Sequence, residues 1–248
     1  VEAAVSVDYH IVGDGNELAA CAAELFTTVT QKAVADRGAC MLALSGGKTP
    51  KLLFEKLGQP QFKSLPWQRI SLFWGDERFV PEWHADSNYR MTREALLERL
   101  SVKPAAICPV NTSLPSAEAA AESYAATICE IFPDSAIENG WPIFDCILLG
   151  LGTDGHTASL FPGDLTISEK ISWTAVGRAP DNSQRITLTL PVLNAARQVI
   201  FLVSGSEKAA VVAAIARGQA KKLPAAMVKT KKVTWLLDAA AASTLVSR

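Results

Sequence analysis

The chain has 248 residues, 49% of them hydrophobic, enough for one α/β domain over residues 1–248 with a sizeable core. Its 24 basic side chains nearly balance 25 acidic ones and no basic tract dominates, which argues against a nucleic-acid partner. The five cysteines make no C-x-x-C pair, which argues against a zinc knuckle or disulfide framework, and no apolar run reaches transmembrane length.

The odd number and wide spacing of the cysteines predict a reducing, cytoplasmic setting, and no membrane association is expected. The N-terminus lacks the charged-then-apolar pattern of a signal peptide; it also lacks an initiator Met, so a few residues are expected to be missing. Val5 to Val12 alternates and predicts a strand, broken by Gly13-Asp14-Gly15. Leu18, Cys21, Ala22, Leu25 and Val29 recur at helical spacing between Asn16 and Arg37, and Gly38 ends that helix. Ala39 to Leu44 predicts a buried strand, followed by Ser45-Gly-Gly-Lys-Thr-Pro50 and a helix to about Leu57, with Pro50 in its first turn. A strand from Ile70 to Trp74 leads into a loop at Gly75-Asp-Glu-Arg78. Helices are predicted over Ser87–Leu100 and Ser116–Ile131, then strands over Ile143–Leu149, Ser172–Val176, Arg185–Leu190 and Val199–Val203. Ser206 is placed to cap a helix that stops near Gly218, a last strand runs from Val233 to Leu237, and a short alanine-rich helix closes the chain. Strands alternating with helices define a Rossmann-like α/β fold, a mostly parallel sheet covered by helices on both faces.

The densest chemistry follows the Ile143–Leu149 strand, in Gly150-Leu-Gly-Thr-Asp-Gly-His156. A carboxylate and an imidazole two residues apart at the carboxyl end of a buried strand sit where α/β proteins place their sites, and a histidine moves protons near neutral pH with little tuning. The same stretch fits a dinucleotide fingerprint, but Pro162 leaves room only for a short helical turn and Ile171–Val176 offers no acid. Gly47-Lys48-Thr49 imitates a nucleotide P-loop, yet Leu42 stands where that motif needs its first glycine. No G-x-S-x-G elbow marks a serine hydrolase. What survives is an anion seat. Backbone N–H groups of Ser45, Gly46, Gly47, Lys48 and Thr49 lie beside a helix start. Arg78 offers a planar fork, or else an ion pair with Asp76 or Glu77, and Lys208 stands in a first helical turn where the macrodipole disfavours a cation unless an anion is bound. Arg185 opens a strand and either faces the same cleft or pairs with Asp181.

The blocks Leu44-Ser-Gly-Gly-Lys-Thr-Pro50, Trp74-Gly-Asp-Glu-Arg-Phe-Val-Pro81, Ser87-Asn-Tyr-Arg90, Gly150-Leu-Gly-Thr-Asp-Gly-His-Thr-Ala-Ser-Leu-Phe-Pro162, Arg185-Ile-Thr-Leu-Thr189 and Gly205-Ser-Glu-Lys208 together resemble the 6-phosphogluconolactonase family over nearly the whole chain. The resemblance implies a cofactor-free hydrolase that opens 6-phospho-D-glucono-1,5-lactone to 6-phospho-D-gluconate in the oxidative pentose phosphate pathway. It also implies the fold shared with glucosamine-6-phosphate deaminase. In that deaminase a Glu stands five residues after the loop histidine; here the position is Phe161, which moves no proton and can instead pack the loop. A deaminase-like isomerase and a non-catalytic sugar-phosphate-binding protein are the competing readings.

On the lactonase reading His156 is the general base and Asp154 orients it or holds a sugar hydroxyl. The amides of Gly152 and Gly155 are expected to stabilise the oxyanion. Arg78 and Lys208 with the Ser45–Thr49 loop bind phosphate, while Asp76 and Arg185 complete the substrate contacts. No metal is called for, the partner is a small sugar phosphate lactone, and the chain is expected to be a monomer or weak homodimer.

Overall fold

The computed structural model describes residues 6–246, so Val5, the first residue of the expected opening strand, lies outside the described part. Twelve strands and eight α-helices follow in chain order. They are β1 (Ser6–Val12), α1 (Gly15–Arg37), β2 (Cys40–Leu44), α2 (Lys48–Leu57), β3 (Ile70–Trp74), β4 (Asp76–Arg78), α3 (Asn88–Ala95), β5 (Ala106–Ile107), α4 (Ala117–Ile131), β6 (Ile137–Glu138), β7 (Trp141–Pro142), β8 (Cys146–Leu149), β9 (Thr174–Arg178), β10 (Gln184–Leu188), α5 (Leu190–Ala195), β11 (Val199–Val203), α6 (Ala209–Ala216), α7 (Pro224–Met227), β12 (Lys232–Asp238) and α8 (Ser243–Val246).

Local chemistry sets the long helices. Asp14 accepts from the N–H groups of Asn16 and Glu17 at the start of α1, while the Glu17 carboxylate reaches back to Gly13 N at 2.7 Å. Gly38, in the left-handed region at φ 78, ends that helix, as the sequence predicts. Ser87 and Ser116 cap α3 and α4 through their hydroxyls.

Seven strands form one sheet in the order β1-β12-β11-β8-β2-β3-β5, and each neighbouring pair is parallel. Its central strands are apolar on both faces, as a doubly covered parallel sheet requires. Ala43, Phe73, Ile147 and Phe201 enter one buried cluster, and Leu42, Leu72, Cys146 and Ile200 enter the other. Each fully buried Leu or Phe contributes about 1.5–3 kcal/mol.

From β2 the chain moves outward through β3 to β5, and from β8 it moves the opposite way through β11 to β12, beyond which β1 forms the edge. The crevice of such a sheet opens between the two strands where the winding reverses. Here those strands are β2 and β8, which carry the two glycine-rich loops.

Several expected elements differ. The Asp76-Glu77-Arg78 segment is no loop: it is β4, paired antiparallel with β10, which in turn pairs with β9. The two strands expected at 172–176 and 185–190 therefore form a small separate sheet with it. The Ser87 helix stops at Ala95, where Leu96 leaves helical geometry at φ −130 before a 3-10 turn. The strand expected from Ile143 begins only at Cys146. Asp145 ahead of it is buried: its N–H donates to Met41 O, and its carboxylate accepts from Met41 N and pairs with Arg37 and Arg197. Ser206 caps nothing: a 3-10 turn over Ser206–Lys208 precedes α6, and Gly205 ahead of it turns the chain at φ 107. Among the described residues, no helix is long and apolar enough to cross a membrane.

Candidate active site

After β8 the chain enters the loop that holds His156. Its Nδ1 lies 2.6 Å from Asp154 Oδ1, and the same oxygen accepts the His156 backbone N–H at 3.1 Å. A carboxylate can only accept, so the ring proton belongs on Nδ1 and Nε2 is the basic nitrogen. Burial alone would raise the Asp154 carboxyl; the His156 N–H and ring outweigh it and hold the group below its usual value. Phe161, buried at 6% exposure, packs its ring 4.7 Å from the imidazole, centroid to centroid. Gly152 lies so close beneath the ring that a Cβ there would stand 2.0 Å from His156 Nδ1. Imidazole orientation is thus set from three sides.

The loop is tied down by hydrogen bonds from neighbouring elements. Thr157 Oγ1 donates to Gly150 O at 2.8 Å, and Ser159 Oγ to Asp76 Oδ2 at 2.7 Å. Ser159 N reaches Thr187 Oγ1 on β10 at 3.2 Å. The small antiparallel sheet therefore braces the histidine loop. The oxyanion role expected of Gly152 and Gly155 does not fit this geometry. Gly152 N donates to His156 O at 2.9 Å and Gly155 N to Gly152 O at 3.0 Å, so both amides are spent on the loop itself.

After β2 the chain turns through Gly46 and Gly47 into α2. Gly47 has φ 104, and a Cβ on Gly46 would meet Asn88 Oδ1 at 1.7 Å. No side chain caps α2, and no acidic residue stands in its first turn. Its first N–H groups are therefore without the usual side-chain acceptor, the condition in which a helix start takes an anion.

Two connected hollows lie over these loops, sharing Gly46, Gly47, Gly150 and Leu151 as a common wall. One, of about 190 Å³, is lined by His156, Asp76, Arg78, Asn88, Arg185 and Ser45 among others. The second, of about 440 Å³, is lined by Lys48, Thr49, Pro50, Gly205, Glu207 and Lys208. Arg78 and Lys208, expected on one phosphate, thus line different hollows. Asp154, Gly152 and Gly155 line neither and act behind the histidine.

Arg78 makes no ion pair with Asp76 or Glu77. It donates to Asp86 O at 2.6 Å, and its buried Nε has no acceptor among the described residues. Glu77 instead accepts the N–H groups of Arg78, Asn88 and Tyr89, fastening β4 to the start of α3; burial pushes its carboxyl up against those bonds. Burial also lowers the Arg185 guanidinium, and neighbouring Arg78 lowers it further. Two guanidinium groups crowded into a hollow with one carboxylate, Asp76, make a site short of negative charge. Sequence reasoning gave no role to Asn88, whose Nδ2 donates to Asp76 O at 2.9 Å, or to Thr157 and Ser159. Asn88 lies in the Ser87–Arg90 block and Thr157 and Ser159 in the Gly150–Pro162 block, and that membership is the signal that could have found them.

Fold and site together give an α/β protein whose sheet switch point carries cationic side chains and an uncapped helix start, beside a histidine held by a carboxylate. The sequence profile of glucosamine-6-phosphate isomerases and 6-phosphogluconolactonase matches residues 13–236. The chain is 42% identical over 225 residues to a 6-phosphogluconolactonase of Synechocystis sp., covering 88% of this chain and 90% of that one. It is 40% identical over 251 residues to the 6-phosphogluconolactonase of Homo sapiens, covering 95% and 92%. A solved structure of 6-phosphogluconolactonase from Trypanosoma brucei superposes with TM-score 0.85 at 30% identity, over 98% of this chain and all of that one. The chain belongs to the glucosamine-6-phosphate isomerase and 6-phosphogluconolactonase family, on its lactonase branch.

Proposed function

We propose that the chain is an enzyme that hydrolyses 6-phospho-D-glucono-1,5-lactone to 6-phospho-D-gluconate, in the cytoplasm and within one α/β domain. The relatives' activity supports this reading. The observation that carries it is the Asp154-fixed His156 in one cation-bearing hollow, with a second such hollow beside it. The product has two anionic ends, a phosphate and a carboxylate, and the cleft has two places for them.

The phosphate rests on the start of α2, with Lys208 and Lys48 beside it and the Ser45–Thr49 loop beneath. The lactone carbonyl lies in the other hollow. His156 Nε2 removes a proton from water as its oxygen attacks the carbonyl carbon; Asp154 keeps the imidazole oriented and stabilises the imidazolium that forms. Negative charge grows on the carbonyl oxygen, and Arg78 and Arg185 take the stabilising role that the bonded amides of Gly152 and Gly155 cannot fill. The tetrahedral intermediate collapses, the ring C–O bond breaks, and His156 returns the proton to the departing hydroxyl. Asp76 accepts from Ser159 and offers its second oxygen to a sugar hydroxyl.

A coupled assay on freshly made lactone, with spontaneous opening subtracted, is expected to show turnover. Ammonia release from glucosamine 6-phosphate is expected to be absent, because Phe161 occupies the position of the extra acid. A protein that binds 6-phosphogluconate yet leaves the lactone rate at its spontaneous value would refute the enzymatic reading.

A further inference from the structure

The far edge of the sheet carries a second feature, unrelated to the cleft. β1 ends the sheet, pairing with β12 on one side only. Val7, Tyr9 and Ile11 are 47%, 38% and 47% exposed. Tyr9 stacks on Trp235 at 6.2 Å, and a groove of about 610 Å³ runs beside Val7 and Tyr9 between Trp235, Ile215 and Val228.

An exposed edge is a template for another strand, and proteins usually guard it with like charges, lysine above all. β1 carries Asp8 and His10 instead, a carboxylate and an imidazole that can donate to it, placed symmetrically about Tyr9. We propose that this edge is a dimer interface, in which β1 pairs antiparallel with β1 of a second copy about a two-fold axis at Tyr9.

The backbone permits this register. Ser6 N donates to Lys231 O, so Ser6, Asp8, His10 and Val12 turn their N–H and C=O groups toward β12. By the alternation of a strand, those of Val7, Tyr9 and Ile11 point outward. With Tyr9 opposite Tyr9 of the partner subunit, Val7 falls opposite Ile11 of the partner subunit, and each such pair exchanges both of its backbone hydrogen bonds. Asp8 falls opposite His10 of the partner subunit at the non-hydrogen-bonded positions, where side chains approach most closely. Directly opposed residues share a face, so the apolar residues of both copies line up on the groove side and the Asp–His pairs on the other. Asp8 is held in the monomer only by Ser6 Oγ at 3.5 Å, and His10 has no partner among the described residues. A shift of one residue in either direction loses this match.

One strand pair is a small contact, so the dimer is weak and concentration-dependent. Sedimentation velocity from about 10 μM to about 1 mM tests it. The wild-type chain is expected to shift toward dimer across that range. His10→Glu sets Asp8 against a second carboxylate and is expected to weaken association about ten-fold. Asp8→Lys weakens it in the same direction. The double variant Asp8→Lys, His10→Glu restores opposite charges and is expected to return within about three-fold of wild type. All three variants are altered only on this edge strand, and an unchanged thermal midpoint verifies the monomer fold. A wild-type chain that stays monomeric at the highest concentration overturns the proposal. So does a dimer indifferent to both single substitutions, or a double variant that regains nothing.

Discussion

The two loops at the switch point start alike and end differently. Both follow buried, adjacent, parallel strands, β2 and β8, and both are rich in glycine. The loop after β8 uses its amides internally: Gly152 N and Gly155 N are bonded within it, and what it presents is a side chain, His156. The loop after β2 runs into a helix start without a side-chain cap, so what it presents is backbone. On the proposed function, one position in the fold thus serves proton transfer and the neighbouring one serves anion binding. The number of glycines does not distinguish them; the destination of the N–H groups does.

The sharpest break of this contrast is removal of the presented side chain. His156→Ala is expected to lower kcat about 10²–10⁴-fold with little change in KM, measured against the subtracted spontaneous rate. Next comes the support beneath it. Gly152→Ala places a Cβ 2.0 Å from His156 Nδ1 and 2.5 Å from Asp154 Oδ1, so the pair must separate. A fall in kcat of about 10²-fold is expected, at nearly unchanged substrate affinity. Wild-type kcat in this variant would show that imidazole orientation does not depend on the loop.

The other loop should fail in KM. Lys208→Ala is expected to raise KM for the phosphorylated lactone by about 10–100-fold, the worth of a charge-assisted contact. Unphosphorylated gluconolactone should be a poor substrate for the wild-type enzyme and lose nothing further in the variant. If the variant affects both lactones equally, Lys208 does not hold the phosphate. The smallest effect is electrostatic. A carboxyl-carbon NMR titration should place Asp154 below about 3.9, the ordinary value for aspartate. The sign follows from linkage: a group depressed in the folded state keeps its pairing above the unfolded value and loses it as pH falls through the folded one. His156→Ala should move the midpoint upward, since the imidazole's contribution is gone and burial remains.

The parallel core was readable because its strands are continuous apolar runs: Ile70–Trp74 and Val199–Val203 stand where hydrophobicity alone put them. β4 was not, because Asp76-Glu77-Arg78 is polar and becomes a strand only through its partner β10, more than a hundred residues away. Ser206 misled because a hydroxyl before a helix suggests a cap, whereas the Gly205 turn directs the chain through a 3-10 segment first. The nearness of Asp154 to His156 was legible from spacing and residue type, and the packing of Phe161 from the resemblance and its contrast with the deaminase loop. The fate of the Gly152 and Gly155 amides was not, because hydrogen-bond partners inside a loop depend on dihedral angles that glycine leaves open.

The pairing of β1 with β12 bears on how the molecule comes into being. Among the described strands, β1 precedes all the others in sequence and is seated on β12, which follows them, so the strands between are synthesised before β1 finds its neighbour. Contacts between strands so far apart in sequence carry a large loop-closure cost. During that interval Val7, Tyr9 and Ile11 travel as an unpaired apolar segment, and the opening residues await the closing ones.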